Sequence, residues 1–193
     1  EPKYWDGNFP WASIADLKGE YFISKTKERI TEFAVENSGV KIVPKNTLLY
    51  SFKLSIGKVA ITKNELYTNE AIAAFPIKDK TKVDLKYLYW AVQQIDLEGI
   101  GDKAVKGITL NKEKLKELPI PLPPLPIQKR IAEILDAADE LKRKDNELLK
   151  KYDELAQSIF IDMFGDAVKN EMGWEKMEVG NCIEYIGDIG SNG

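Results

Sequence analysis

The stretch from Leu118 to Leu141, LPIPLPPLPIQKRIAEILDAADEL, constrains the fold more than any other part of the chain. Five of the nine prolines (Pro119, Pro121, Pro123, Pro124 and Pro126) fall in its first part. Each fixes φ near about −65° and lacks an N–H, which predicts an extended polyproline strut. After Pro126, apolar residues recur at Ile127, Ile131, Ile134, Ala138, Leu141, Leu148, Tyr152, Leu155 and Ile159. Steps of four and three alternate, and only Asp145 breaks the run, as a register device or a solvated gap. This is the pattern of a coiled-coil seam about five heptads long rather than of an amphipathic surface helix. A globular unit is therefore expected to be joined by a stiff strut to a rod that needs a partner helix.

At 193 residues the chain can hold one good domain with an extension, or two small ones. A hydrophobic fraction of 44% suits a packed core and argues against disorder. No apolar run approaches the roughly 20 residues that span a bilayer, and the opening EPKYWDGNFPW lacks the pattern of a signal peptide. One cysteine, Cys182, excludes an internal disulfide and a multi-cysteine zinc site, and fits a reduced, cytoplasmic setting. The absence of histidine excludes His-based triads, metal clusters and general bases.

The net charge of −3 argues against a simple nucleic-acid binder, but it is unevenly distributed. Residues 1–126 carry 19 Lys/Arg against 16 Asp/Glu, whereas residues 164–193 carry 2 against 6. From Asn37 to Asn64 there are five lysines (41, 45, 53, 58 and 63) and no acid, a local basic face suited to phosphate or simply solvated.

Along the chain, Tyr4 to Leu17 is aromatic-rich and irregular; its rings either stack on a ligand or fill a core. Residues 26–38 read as a short helix with Ile30, Phe33 and Ala34 inward. The pattern then predicts strands over KIVPKNTLLYSF and GKVAIT, followed by TNEAIAAFPI. Residues 84–97 predict a helix with Asp84 as N-cap and Leu85, Leu88, Tyr89 and Val92 on one face. Gly99 to Gly107 is a Gly/Lys loop, followed by a short helix over 111–117. The long helix should stop near Phe164-Gly165-Asp166. The tail begins a strand pattern (Trp174, Met177, Val179, Cys182, Ile183) too short for a domain.

Catalytic motifs are scarce. Asn8-Phe9-Pro10-Trp11 is similar to the adenine-gripping tetrad of amino-methyltransferases but lacks its first proline, and no glycine-rich nucleotide loop is present. The turn SFKLSIGK (51–58) and the loop DKAVKGITLN (102–111) are better candidates. Lysines among small hydroxyl and glycine residues let ammonium and backbone groups approach phosphates or base edges. The alternative is that both are ordinary connectors.

Taken together, LKELPIPLPPLPIQKRIAEILDAADEL resembles the segment that closes a target-recognition domain in specificity (S) subunits of type I restriction-modification enzymes. The upstream order also fits: YWDGNFPWASIADLKG, KIVPKNTLLYSF, IGKVAI, TNEAIAAF, an aromatic helix, then ITLNKEKLKELPIPLPP. The resemblance covers residues 4–166. The tail AQSIFIDMFGD…GWEKMEVGNCIEYIGDIGSNG is similar to a helix exit and the opening strand of another recognition domain.

The resemblance implies an α+β fold: a mixed β-rich recognition domain with short helices, plus one long coiled-coil helix. It divides the chain into a recognition domain (1–118), a proline connector (119–126), a spacer helix (127–165) and the opening of a recognition domain (166–193), which completes 1–118 by folding back or by exchange between chains. It implies a non-catalytic subunit that reads double-stranded DNA and pairs through the long helix as a homodimer. Methyltransferase (M) subunits would dock on it, a motor-endonuclease (R) subunit would join them, and S-adenosylmethionine, ATP and Mg would sit on those partners. The implied DNA contacts are Lys53, Ser55 and Lys58 in the first turn and Lys103, Lys106 and Thr109 in the second loop. Asn69 matches a polar position that is either a contact or structural. Glu70 stands where a glutamine is expected, and Lys53-Leu54 where a small or glycine residue is. The rival reading is a coiled-coil adaptor that never touches DNA.

Overall fold

The computed structural model describes residues 1–96, 102–104, 107–166 and 168–183. It falls into two compact units, Glu1–Ala138 and Asp139–Gly193. The first contains, in order, β1 (Trp5–Ala12), β2 (Phe22–Ile23), β3 (Glu28–Ile30), α1 (Glu32–Asn37), β4 (Leu48–Ser51), β5 (Val59–Thr62), β6 (Tyr67–Thr68), β7 (Ile72–Phe75) and α2 (Leu85–Val92). A hairpin of β8 (Asp102–Ala104) and β9 (Gly107–Thr109) follows, then α3 (Lys112–Lys116) and the first turns of α4 (Leu125–Phe164).

Two sheets organise this unit. In the larger, order β2-β5-β4-β7, β4 lies antiparallel to β5 and β7, while β2 runs parallel to β5. β4 and β5 read LLYS and VAIT and are buried throughout, as near-continuous apolar runs are when both faces of a sheet are covered. The period of two sends Leu48, Tyr50, Val59 and Ile61 to one face, where Leu88, Tyr89 and Val92 of α2 join Leu110 and Leu115. Leu49 and Ala60 point the other way, against Ala12, Leu17, Ile23, Val43 and Leu66. Ile30 and Tyr67 of the smaller sheet, β3-β1-β6, cluster with Ala34 of α1.

Tyr4 to Leu17 was expected to be irregular, yet Trp5–Ala12 is the longest strand among the described residues. A bulge hides its alternation. Trp5 and Phe9 both oppose Ile30, and between them Asp6 takes a positive φ of 63°. Gly7 lies so close to β3 that a Cβ would meet the Ile30 carbonyl at 2.2 Å. The expected helix over 26–38 is likewise shorter. Glu28–Ile30 pairs with β1 as a strand, and the helix begins only after Thr31, whose hydroxyl accepts from the Ala34 N–H. Phe33 is consequently exposed rather than inward. The cap at Asp84 forms as expected, accepting from the Tyr87 N–H, and Asn111 also caps α3 by accepting from the Lys114 N–H.

α4 starts at Leu125, inside the expected strut, because Pro126 sits in the first turn, where a missing N–H costs nothing. The Pro124 carbonyl accepts from the N–H groups of Ile127 and Gln128. At its far end, Gly165 takes φ 76° and donates to the Ile161 carbonyl. Trp174 then folds against that terminus: its Nε1 donates to the Phe164 carbonyl at 3.0 Å, and Asn170 Oδ1 accepts from its backbone N–H. The strand pattern expected in the tail does not form among residues 168–183, which hold one short 3-10 turn, Val179–Asn181. A lone strand without a ladder leaves its backbone groups to water.

Candidate nucleic-acid interface and helix joint

Lys53, Ser55 and Lys58 share the turn between β4 and β5, and all three are exposed. The turn is held from beneath by Ser51, which is fully buried. Its hydroxyl donates to the Ser55 carbonyl at 2.5 Å and accepts from the Lys58 N–H at 2.9 Å. Its backbone carbonyl accepts from Gly57, and its N–H donates to Lys58. Phe52 closes the base by donating to the Ala71 carbonyl. The lysines therefore project from a fixed platform, with Lys53 Nζ 5.8 Å from the Phe52 ring. Leu54, at the tip, is 93% exposed with φ 61°. That left-handed geometry explains why a small or glycine residue is expected there.

Asn69 lies deeper. Its side-chain oxygen accepts from the Ala71 N–H and its own N–H donates to Ala12, so it ties the end of β1 to the turn before β7. Lys103 and Thr109 fall on the β8–β9 hairpin, paired with Ile108 and Asp102. Lys106 lies outside the described residues. The expected second loop is thus a short hairpin. An open cleft of about 1180 Å³ runs beside β7, with walls that include Trp11, Ile42, Ile72, Phe75 and Leu118. Walls of that kind suit an apolar segment rather than a phosphate.

The residues that sequence reasoning missed sit where α4 meets α2. Gln128 is 0% exposed. Its Nε2 donates to the carbonyls of Lys82 (2.8 Å) and Pro123 (2.7 Å), and its Oε1 accepts from the Asp84 N–H at 2.9 Å. Two turns on, Asp136 accepts from Lys86 Nζ (2.7 Å) and Trp90 Nε1 (2.9 Å). Partial burial works against the Asp136 charge, but Lys86 and Trp90 outweigh it and hold the carboxyl below its ordinary range. Tyr21 packs here on Tyr89 at 4.3 Å. Its buried hydroxyl makes no hydrogen bond, and burial, aided by Asp136, raises it well above the usual phenol range. The Tyr87 hydroxyl donates to Pro121 and so ties down the strut.

Gln128, Ala132 and Asp136 are spaced by fours on one face of α4, and the first two are its buried residues. Polar residues within a heptad pattern read as solvent positions, which hid them. The only available sign is their shared face with a small alanine at its centre. The seam has the opposite fate: Ile127, Ile134, Leu141, Leu148, Tyr152, Leu155 and Ile159 are 47–61% exposed. Ala138 is exposed as well, and Ile131 is half-buried. Among the described residues no helix is long and apolar enough to cross a membrane.

Comparison with known proteins places this architecture. The type I restriction-modification DNA specificity domain matches residues 1–151. The type I restriction enzyme MjaIX specificity subunit of Methanocaldococcus jannaschii is 34% identical over 98% of this chain and 48% of its own length. The EcoR124I/EcoR124II specificity subunit of Escherichia coli is 29% identical over 80% of this chain and 40% of its own. The chain thus spans half or less of these relatives. The HsdS subunit from Thermoanaerobacter tengcongensis shares the fold, with a TM-score of 0.56 at 20% identity over 84% of this chain and 39% of that one. The mixed sheets, short helices and long helix are those expected from the resemblance, and the chain belongs to the type I restriction-modification DNA specificity domain family.

Proposed function

We propose that this chain reads duplex DNA as all or part of a type I specificity subunit. The observation that carries the reading is the exposed basic turn 52–58, locked by the buried Ser51 onto a domain of this family. A preorganised turn contacts phosphates and base edges without first losing loop entropy. Lys53, Ser55 and Lys58 make those contacts, together with Lys103 and Thr109 of β8 and β9 and with Lys106. Two copies pair antiparallel through the α4 seam, so that two recognition domains read a split site at a spacing the rods fix. Methyltransferase subunits dock on this frame and a motor-endonuclease subunit joins them, in the cytoplasm. The chain itself is non-catalytic; S-adenosylmethionine, ATP and Mg belong to the partners.

A titration of labelled duplex against salt, with and without the methyltransferase subunit, tests this. Binding should fall steeply as salt rises, and K53Q and K58Q should each reduce the logarithmic slope by about 1. Absence of salt-dependent binding in both arms would sink the reading and leave the adaptor alternative.

A further inference from the structure

We infer that Leu54 is a specificity-determining residue of the basic turn, meeting the 5-methyl group of a thymine in the major groove while Lys53 and Lys58 take the flanking phosphates. The inference rests on the DNA reading above and names a base feature which that reading leaves open.

The turn from Phe52 to Lys58 holds two aliphatic side chains with opposite fates. Ile56 is partly buried and packs against the core cluster that includes Tyr50 and Val59. Leu54 is 93% exposed, more than any other large apolar residue among those described. A side chain so placed gains nothing for the fold, because its apolar surface stays in water. Its backbone adds a second cost. At φ 61° the Cβ of a leucine crowds the following carbonyl, and such a φ is uncommon outside glycine, asparagine and aspartate. Glycine would avoid both costs, and the same turn already uses one at Gly57, with φ 89°. Beneath it, the Ser51 hydroxyl bonds to the Ser55 carbonyl and the Lys58 N–H and keeps the tip from relaxing. A strained, exposed leucine on a fixed base has its use outside the chain.

Its surroundings select the partner. Lys53 and Ser55 adjoin Leu54, Lys58 ends the turn, and no acid lies between Asn37 and Asn64. An apolar protein surface laid on this tip would strip water from the ammonium groups without pairing them. Duplex DNA offers phosphates to the lysines and, within the groove, an apolar group to the leucine. Among the bases only thymine carries a methyl group, and it lies on the major-groove edge. Width agrees: β4 and β5 enter the turn as antiparallel neighbours, about 4.8 Å apart before side chains are added. A tip of that breadth fits a groove about 12 Å wide and not one of about 6 Å. The lysines meet phosphates, which are alike at every base pair, so the leucine supplies sequence information that they cannot.

The full chain, with and without the methyltransferase subunit, is first used to select sites from randomised duplexes. Each selected thymine is then replaced singly by deoxyuridine, which removes the methyl group and leaves the hydrogen-bonding edges intact. One such replacement per half-site should weaken binding by the parent about fourfold, the factor for one buried methyl group. L54A should bind thymine and deoxyuridine duplexes equally and keep the parent's salt slope, because Leu54 neutralises no phosphate. L54G relieves the backbone and should leave the midpoint of denaturant unfolding unchanged or raise it. A lowered midpoint would show that Leu54 serves the fold and would overturn the inference. Parent binding that ignores every deoxyuridine, or L54A binding that still responds as the parent does, overturns it as well and leaves the DNA reading standing. Absence of duplex binding by the parent in both arms brings down the reading and the inference together.

Discussion

Leucines and isoleucines meet opposite fates in the sheet and on the long helix. Leu48, Leu49 and Ile61 are at most 1% exposed, whereas Leu141 and Leu155 on α4 are more than half exposed. Their side chains are chemically alike, and burying each is worth about 1.5–3 kcal/mol. An apolar pattern therefore says only that a face must be covered. In the strands the cover lies within the same unit, supplied by α2 on one side and by Leu17, Val43 and Leu66 on the other. On α4 the face that packs on the domain is polar and small, and the apolar face is left for something else. The first unit covers the leucines of its own strands, whereas the rod leaves its apolar face exposed.

The largest effect expected from this contrast is in the sheet. Leu49→Ala leaves a cavity in a site closed on all sides and should cost about 3–4 kcal/mol, read from the midpoint of denaturant unfolding. A loss below about 1 kcal/mol would mean that the two-sided burial of β4 is not what holds the domain. Leu148→Asp should shift that same transition by less than about 0.5 kcal/mol, because Leu148 is 47% exposed on α4. It should nevertheless abolish self-association, since a carboxylate in the seam would be buried unpaired.

The joint lies between these extremes. Asp136→Asn should cost about 0.5–1 kcal/mol, because Lys86 stands largely in solvent and the pair is only partly shielded. The sign of its pH dependence follows from the lowered carboxyl. Its contribution is present above the unfolded aspartate value of about 4 and is lost as pH falls through the lower folded value. In the Asp136→Asn variant that acid-side loss should shrink; an identical acid limb in parent and variant would remove Asp136 from the joint.

Much of this was legible in the residues. The cap at Asp84, the stop at Gly165 and the heptad run of α4 are local signals, set by one residue's hydrogen bond, one residue's φ and one period. β1 was not legible, because its bulge at Asp6 and Gly7 erases the alternation that marks a strand, and its pairing with Glu28–Ile30 depends on residues 17 to 25 positions away. That same pairing shortened the helix expected over 26–38. At the basic turn the lysines were visible in sequence, but the buried Ser51 that fixes them was not, since a serine beside a turn ordinarily reads as solvated. Gln128 was hidden for a related reason: its partners are backbone groups, and backbone groups leave no trace in side-chain pattern.

The central claim is that the rod's apolar face is an interface for a second copy. Sedimentation equilibrium of the full chain over a range reaching tens of micromolar tests it directly. The expected result is a dimer that Leu148→Asp converts to monomer with its domain still folded. A parent chain that stays monomeric throughout that range would contradict it.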